Sequence, residues 1–217
     1  MIVPYTKFWC PFPPRPTASI PPTRIAEFDG WIAQRKFNGT RTVTFVTPEG
    51  DVVLRTRHRE EHRAYSITDA MVESVGSLDL ARGKWHVLDG ELLHSKTTRV
   101  KDRLVLFDVL VHEGRYLVGT TVEERLPLLR AITRAPSTHE TETGSEIALL
   151  AAPTLWVAET FADQDRYGEI YEQALGLDEL EGVVLKNPRG RLSPGVSEAN
   201  NGEWIVRVRK PHKNYRH

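Results

Sequence analysis

From Trp31 onward the chain alternates apolar and polar positions with the period of two expected of half-buried strands, interrupted by three stretches with helical spacing. The β-branched runs 41–46 and 51–56, separated by Thr47-Pro48-Glu49-Gly50, predict a hairpin. Residues 66–75 open on a cap-like Ser66 and space their apolar residues near 3.6, which predicts a helix, and 85–93 returns to strand. The run 104–111 reads as another strand that turns through His112-Glu113-Gly114-Arg115 into 116–118. Thr121 with Glu124 three residues on is a capping-box pattern, so 121–130 is expected to be helical with Pro127 tolerated in its early turns. Residues 137–145 are polar and weakly patterned, the mark of an exposed loop. A helix is expected over 167–175, stopped by Gly176, followed by paired core strands at 181–186 and 204–209. Strands outnumber helices and no internal repeat is present, which gives an α+β class with antiparallel sheets flanked by helices.

The first 22 residues break this pattern. Half of the chain's fourteen prolines fall between positions 4 and 22, so 1–22 can form neither a long helix nor a central strand and is expected to run extended over the surface, pinned by Phe8, Trp9 and Phe12. The remainder of the 217 residues, 40% hydrophobic and 27% charged, suits a single domain over 1–217 with a short basic tail at 211–217. Lys plus Arg and Asp plus Glu number 29 each, so any polyanion must be held by a local patch rather than by net charge. A single cysteine, Cys10, rules out an internal disulfide and a cysteine-based zinc site. The longest apolar stretch, 147–158, is twelve residues broken by Pro153, short of the roughly 20 a membrane span needs, and no basic-then-apolar leader opens the chain. A cytoplasmic monomer without a membrane partner is the expectation.

Gln34-Arg35-Lys36-Phe37-Asn38-Gly39-Thr40-Arg41 carries the most chemistry. A lysine just before a strand, with a glycine three residues on that lets backbone approach a ligand, suits a nucleophile toward phosphate, although by itself the pattern is a solvated loop in most proteins. Further along come Thr56-Arg57-His58, Asp89-Gly90-Glu91, Leu106-Phe107-Asp108, Glu181-Gly182-Val183-Val184-Leu185-Lys186 and Trp204 followed by Arg207, Arg209 and Lys210. In this order, over residues 31–210, these segments resemble the collinear motifs of the covalent nucleotidyltransferases, the superfamily of ATP-dependent DNA ligases, RNA ligases and mRNA-capping guanylyltransferases.

The resemblance implies an ATP-grasp-like adenylation domain in which Lys36 forms a covalent lysyl-AMP with ATP. Phosphoryl transfer depends on alignment and on offsetting charge at the phosphate oxygens, a task for Arg57, Lys186, Arg207 and Arg209. It further implies that Glu91 holds the ribose, that Glu181 with Glu91 organises Mg2+ or Mn2+, that Phe107 stacks on adenine and that Gln34 meets the base edge. A Phe in an apolar strand is otherwise core, and Glu91 or Glu181 alone reads equally as a solvated edge-strand acid. Arg41 is assigned to catalysis and to nucleic acid. Residues 186–217 hold eight Lys or Arg against two acids, a candidate phosphate-backbone patch in which Lys210, Lys213 and Arg216 are the contacts. His58, His62, His212 and His217 lack metal-site spacing and are expected at the surface.

The chain departs from the family pattern at three points. Asn38 stands where DNA ligases usually have Asp, the last motif offers Arg207-x-Arg209 in place of Lys-x-Lys, and Arg189 and Arg191 are out of register with the usual Arg between the last two motifs. No OB-fold pattern follows Lys210, a layout similar to small viral or mobile-element ligases. The leading expectation is an ATP-dependent DNA ligase, a repair or replication activity, sealing a 5′-phosphate to a 3′-hydroxyl in nicked double-stranded DNA. Alternatives are an RNA ligase or one accepting RNA-containing duplex, a GTP-dependent capping guanylyltransferase, and a decayed nucleic-acid-binding module.

Overall fold

A computed structural model describes residues 3–4, 11–63, 65–134 and 147–211. Two sheets stand against each other, and the chain crosses from one to the other at Asn38-Gly39. The first sheet is built from β1 (Val3–Pro4), β4 (Thr40–Val46), β5 (Val52–Thr56), β6 (His86–Leu93), β7 (Arg103–His112), β8 (Arg115–Tyr116), β9 (Leu149–Ala152) and β10 (Leu155–Val157), in the order β1-β8-β7-β6-β4-β5, with β10 joined to both β7 and β9. The second holds β2 (Arg15–Ser19), β3 (Ile32–Phe37), β11 (Thr160–Phe161), β12 (Leu180–Lys186) and β13 (Asn201–Arg209) in the order β11-β3-β12-β13-β2. Each is antiparallel except for one parallel pair, β10 on β7 and β2 on β13. The α+β expectation holds.

Each sheet buries one face under helix. Helices α1 (Asp69–Gly76) and α2 (Val122–Thr133) cover the first sheet, where Met71, Val75, Leu129 and Ile132 meet Leu88, Leu92, Leu104 and Leu106. Helix α3 (Arg166–Leu175) and a 3-10 turn at Pro22–Glu27 cover the second, with Tyr167, Ile170 and Tyr171 against Ala33, Val183, Leu185, Val206 and Val208. A third cluster, including Phe37, Leu93, Val105, Trp156 and Leu180, fills the seam between the sheets. The faces left over look into a cleft.

Several local expectations are refined. Helix α1 starts later than Ser66, because Thr68 is the cap, its side chain accepting from the Met71 N–H at 3.2 Å. The capping box of α2 forms as read: Glu124 Oε2 accepts from the Thr121 N–H at 2.6 Å and from its hydroxyl at 2.9 Å. Where it is described, the Pro-rich segment is strand at Val3–Pro4 and Arg15–Ser19, residues 11–14 are buried rather than at the surface, and β2 is an edge strand, a sheet position that proline tolerates. Phe12 is buried, and Asn200 donates to its carbonyl at 2.8 Å. The stretch 147–158 folds into the β9–β10 hairpin about Pro153. Among the described residues no helix is long and apolar enough to cross a membrane. Phe8, Trp9, Cys10, the 137–145 loop, His212, Lys213, Arg216 and His217 lie outside the described residues.

Candidate active site

A cleft of about 730 Å³ opens between the sheets, lined among others by Gln34, Lys36, Arg41, Arg57, Glu91, Phe107, Glu181, Lys186, Arg207 and Arg209. Period-two alternation does most of this assembly. On β3 the even positions Gln34 and Lys36 face the cleft while Ala33 enters the α3 core and Phe37 the seam. On β13, Ile205, Arg207 and Arg209 face it while Val206 and Val208 enter that core. Lys36, Gly182 and Arg209 are direct cross-strand partners, so the nucleophile candidate and an arginine flank a residue without a side chain. Gly182 must be glycine: its φ is +136° and a Cβ would lie 2.0 Å from the Val208 carbonyl oxygen. The register slips between Leu180 and Gly182, and this irregularity lets Glu181 reach the same face.

Glu181 Oε2 then lies 2.5 Å from Lys36 Nζ and 3.7 Å from Arg209 Nε. Burial would raise the Glu181 carboxyl, but the charge and hydrogen bond of Lys36 outweigh it and hold it below the ordinary carboxylate range. Glu91 sits opposite with a different fate: burial pushes its carboxyl up to about 6 against the pull of Lys36 and Arg41. Two neighbouring carboxylates are thus driven apart in acidity by their surroundings.

Lys36 does not precede its strand, as the sequence suggests, but lies within β3; the strand that follows belongs to the other sheet. Gly39 likewise serves packing: a Cβ there would lie 2.3 Å from the Leu92 carbonyl oxygen and 2.8 Å from Glu91 Cγ. The Asn38 backbone N–H reaches the Glu179 carbonyl at 2.7 Å, and its side-chain amide donates to the Asp178 carbonyl at 2.8 Å, a bond the side chain of an ionised aspartate could not donate. Arg41 grips the fully buried Asp89 with a two-pronged contact, 3.0 and 2.5 Å, and stands 5.1 Å over the Phe107 ring, so the protein itself occupies the fork assigned to nucleic acid. Phe107 is half-buried, one flank in the seam and the other lining the cleft. Lys186 is buried, 5.3 Å over the same ring, and burial lowers its amine to about 8 despite Asp108.

Other assignments fare differently. Arg57 is exposed at the rim, its Nε on His58 Nε2 at 3.0 Å. Gln34 is buried and donates to Thr160 Oγ1 at 3.1 Å. Lys210, expected on the nucleic-acid path, turns its ammonium onto the Ala174 and Leu177 carbonyls at 3.1 and 2.6 Å, where it caps the C-terminal end of α3. His62, expected at the surface, is half-buried with Nε2 3.2 Å from Thr42 Oγ1. Lys96 was not singled out from the sequence; it lines the cleft and bonds the Gly39 carbonyl, and its surroundings in sequence carry no pattern that marks it.

Among the described residues no group of three or more His, Cys, Asp or Glu gathers to hold a metal unaided. Two carboxylates, one bonded to lysine and one held near pH 6, suit Mg2+ or Mn2+, which takes few protein ligands and completes its shell with water and substrate phosphate. The cost of Glu91's charge is testable. Its carboxyl titrates near 6 in the folded protein against an ordinary 4.5, so the folded state binds the extra proton between these values, and stability falls as pH rises across that window. Glu91→Gln is therefore expected to gain up to about 2 kcal/mol in urea unfolding at pH 7, with the gain gone below about pH 4.5. Equal stability at pH 7 would show that the ionised carboxylate is not penalised.

No protein-family model matches the sequence, and no curated protein sequence matches it. Solved structures do. Mycobacterial DNA ligase D complexed with ATP and MES matches with a TM-score of 0.60 at 22% identity over 91% of this chain and 60% of that one. The ligase domain from M. tuberculosis LigD matches with a TM-score of 0.53 at 22% identity over 82% of this chain and 53% of that one. The ATP-dependent DNA ligase from bacteriophage T7, in complex with ATP, matches with a TM-score of 0.52 at 16% identity over 92% of this chain and 68% of that one. The chain thus spans between half and two thirds of the length of the first two. With its two mixed sheets and three helices among the described residues, the chain shares the fold of these ligase structures over 82–92% of its length.

Proposed function

We propose that this protein is an ATP-dependent polynucleotide ligase acting on nicked duplex DNA, with Lys36 as its nucleophile. The observation that carries the reading is the Lys36–Glu181 contact at 2.5 Å on the cleft face of β3, with Arg209 two strands away across Gly182 and Arg207 beside it. Attack needs the amine's lone pair, so Lys36 leaves Glu181 and loses its proton; Nζ bonds to the α-phosphorus of ATP as the bond to pyrophosphate breaks. Arg207, Arg209, Lys96 and Lys186 offset charge on the phosphates, Glu91 accepts from a ribose hydroxyl, and the Gln34 amide oxygen accepts from the adenine amine over the Phe107 ring. Mg2+ or Mn2+ held by Glu181 and Glu91 would neutralise phosphate charge. The AMP then passes to the 5′-phosphate of a nick and is displaced by the 3′-hydroxyl. DNA as substrate is supported by the motif resemblance and by fold likeness to structures of DNA ligases.

Incubation with α-labelled ATP or GTP and Mg2+, followed by denaturing electrophoresis, tests the nucleotide step. Label from ATP that resists denaturation but is released by acid, as a phosphoramidate is, is the expected result. Label only from GTP would turn the reading to a capping enzyme, and none from either would end it. Nicks of defined strand composition separate DNA from RNA preference.

A further inference from the structure

The β6–β7 ladder ends at the pair Leu93↔Arg103, so His94 and Asp102 stand facing each other where the strands part. Asp102 takes a left-handed backbone, φ 54°, and its carboxylate accepts from His94 Nδ1 at 2.7 Å. In the neutral tautomer that donates from Nδ1 to Asp102, Nε2 carries the lone pair; among the described residues no hydrogen-bond partner of Nε2 is present. The ring packs edge-on to Tyr65, 4.9 Å between centroids, and lines the cleft three residues beyond Glu91, roughly 10 Å along the strand. The connection behind it is tied down: Lys101 Nζ donates to the His94 carbonyl at 2.6 Å, Thr98 bonds Asp178 through N–H and hydroxyl at 2.7 and 2.5 Å, and Arg99 holds Glu179 at 3.0 and 3.1 Å.

Stability does not account for this arrangement. His94 and Asp102 side chains are 38% and 40% exposed, where an ion pair adds little, and a left-handed aspartate is a cost. The geometry points to a different use: we propose that His94, oriented by Asp102, is the general base of strand joining, taking the proton of the 3′-hydroxyl on Nε2 as O3′ bonds to the 5′-phosphorus and the bond to AMP breaks. The inference rests on the ligase reading above. The charged and titratable groups around the ring are Asp102, Lys101 and Lys96 on the connection, Tyr65 across it with His62 behind, and Glu91 on β6 before it.

The test follows single-turnover sealing of a nick already adenylated at its 5′ end, between pH 5.5 and 9, with Lys36 labelling by ATP measured in parallel. His94→Gln keeps an amide donor for Asp102 and cannot serve as the base; thermal unfolding checks that it folds, and Asp102→Asn supplies a second variant. Sealing by His94→Gln is expected to fall about 10²-fold or more, at least tenfold beyond any change in labelling, and to lose whatever dependence on pH His94 gives the unmodified protein. Asp102→Asn should fall in the same direction with that dependence displaced. Sealing by both variants within threefold of the unmodified protein, with the same pH profile, would reduce the pair to a rim contact and overturn the inference while leaving lysine adenylation standing. An unmodified protein that neither labels nor seals would overturn both.

Discussion

Covalent labelling by ATP should fall to background in Lys36→Ala. The side chain is 17% exposed and, among the described residues, bonded to Glu181 alone at 2.5 Å, so its removal leaves a carboxylate still within 3.7 Å of Arg209 and the fold should survive. No other cleft lysine can stand in. Lys186 is buried with its amine on the Phe107 carbonyl at 3.3 Å, and Lys96 holds the Gly39 carbonyl. Glu181→Gln is the informative companion: it keeps the volume and removes the charge that now holds the lysine ammonium, and a loss of about 10²–10³-fold in labelling rate is expected. Full labelling in Lys36→Ala would mean that another nucleophile carries the nucleotide, and the mechanism would have to be rebuilt around it.

Why Lys36 was legible and Lys96 was not follows from how the cleft is made. Strands at 40–46, 86–93 and 180–186 advertise themselves because one face meets a helix-covered core, and the cleft residues are the polar members of that alternation. Spacing alone cannot say that β3 and β4, separated by two residues, lie in different sheets, because the crossover depends on Gly39 packing against the Leu92 carbonyl and on Asn38 reaching residues 178 and 179. Strand β2 was hidden by Pro16 and the prolines that precede it, and is formed by parallel pairing to β13 at the edge. The direction of Lys210 was hidden for a related reason. Charge density identifies cations but not their direction, and Lys210 points at a helix end. The ion pairs Arg41–Asp89 and Arg125–Asp108 join segments 48 and 17 residues apart and have no local signature.

The second of those pairs should dominate stability. Arg125 on α2 is 1% exposed; its Nε and Nη2 donate to Asp108 at 2.8 and 3.1 Å, its Nη1 donates to the Thr120 carbonyl at 2.6 Å, and the guanidinium lies 5.4 Å from the Trp204 ring on the other sheet. One side chain therefore ties a helix to both sheets behind the Phe107 wall. Burial would raise the Asp108 carboxyl, but the charge and hydrogen bonds of Arg125 outweigh it and hold it below its ordinary value, so this contribution is complete above about pH 4 and lost as pH falls. Arg125→Met leaves a buried carboxylate whose neighbours include the Val109 N–H at 2.8 Å and the charges of Lys186, Arg41 and Asp89, the last two already paired with each other. We expect it to cost about 3–5 kcal/mol at pH 7, a fall of roughly 6–20 °C in Tm for a chain of this size. Asp108→Leu in the same background should recover much of it, because an apolar pair of similar volume carries no uncompensated charge. The deficit of Arg125→Met should also narrow as pH drops toward 4, when the stranded carboxylate takes up a proton. Urea unfolding of the single and double variants at pH 7 and pH 4.5 decides the matter: a cost under about 1 kcal/mol, or one independent of pH, would mean that water reaches Asp108 once the arginine is gone.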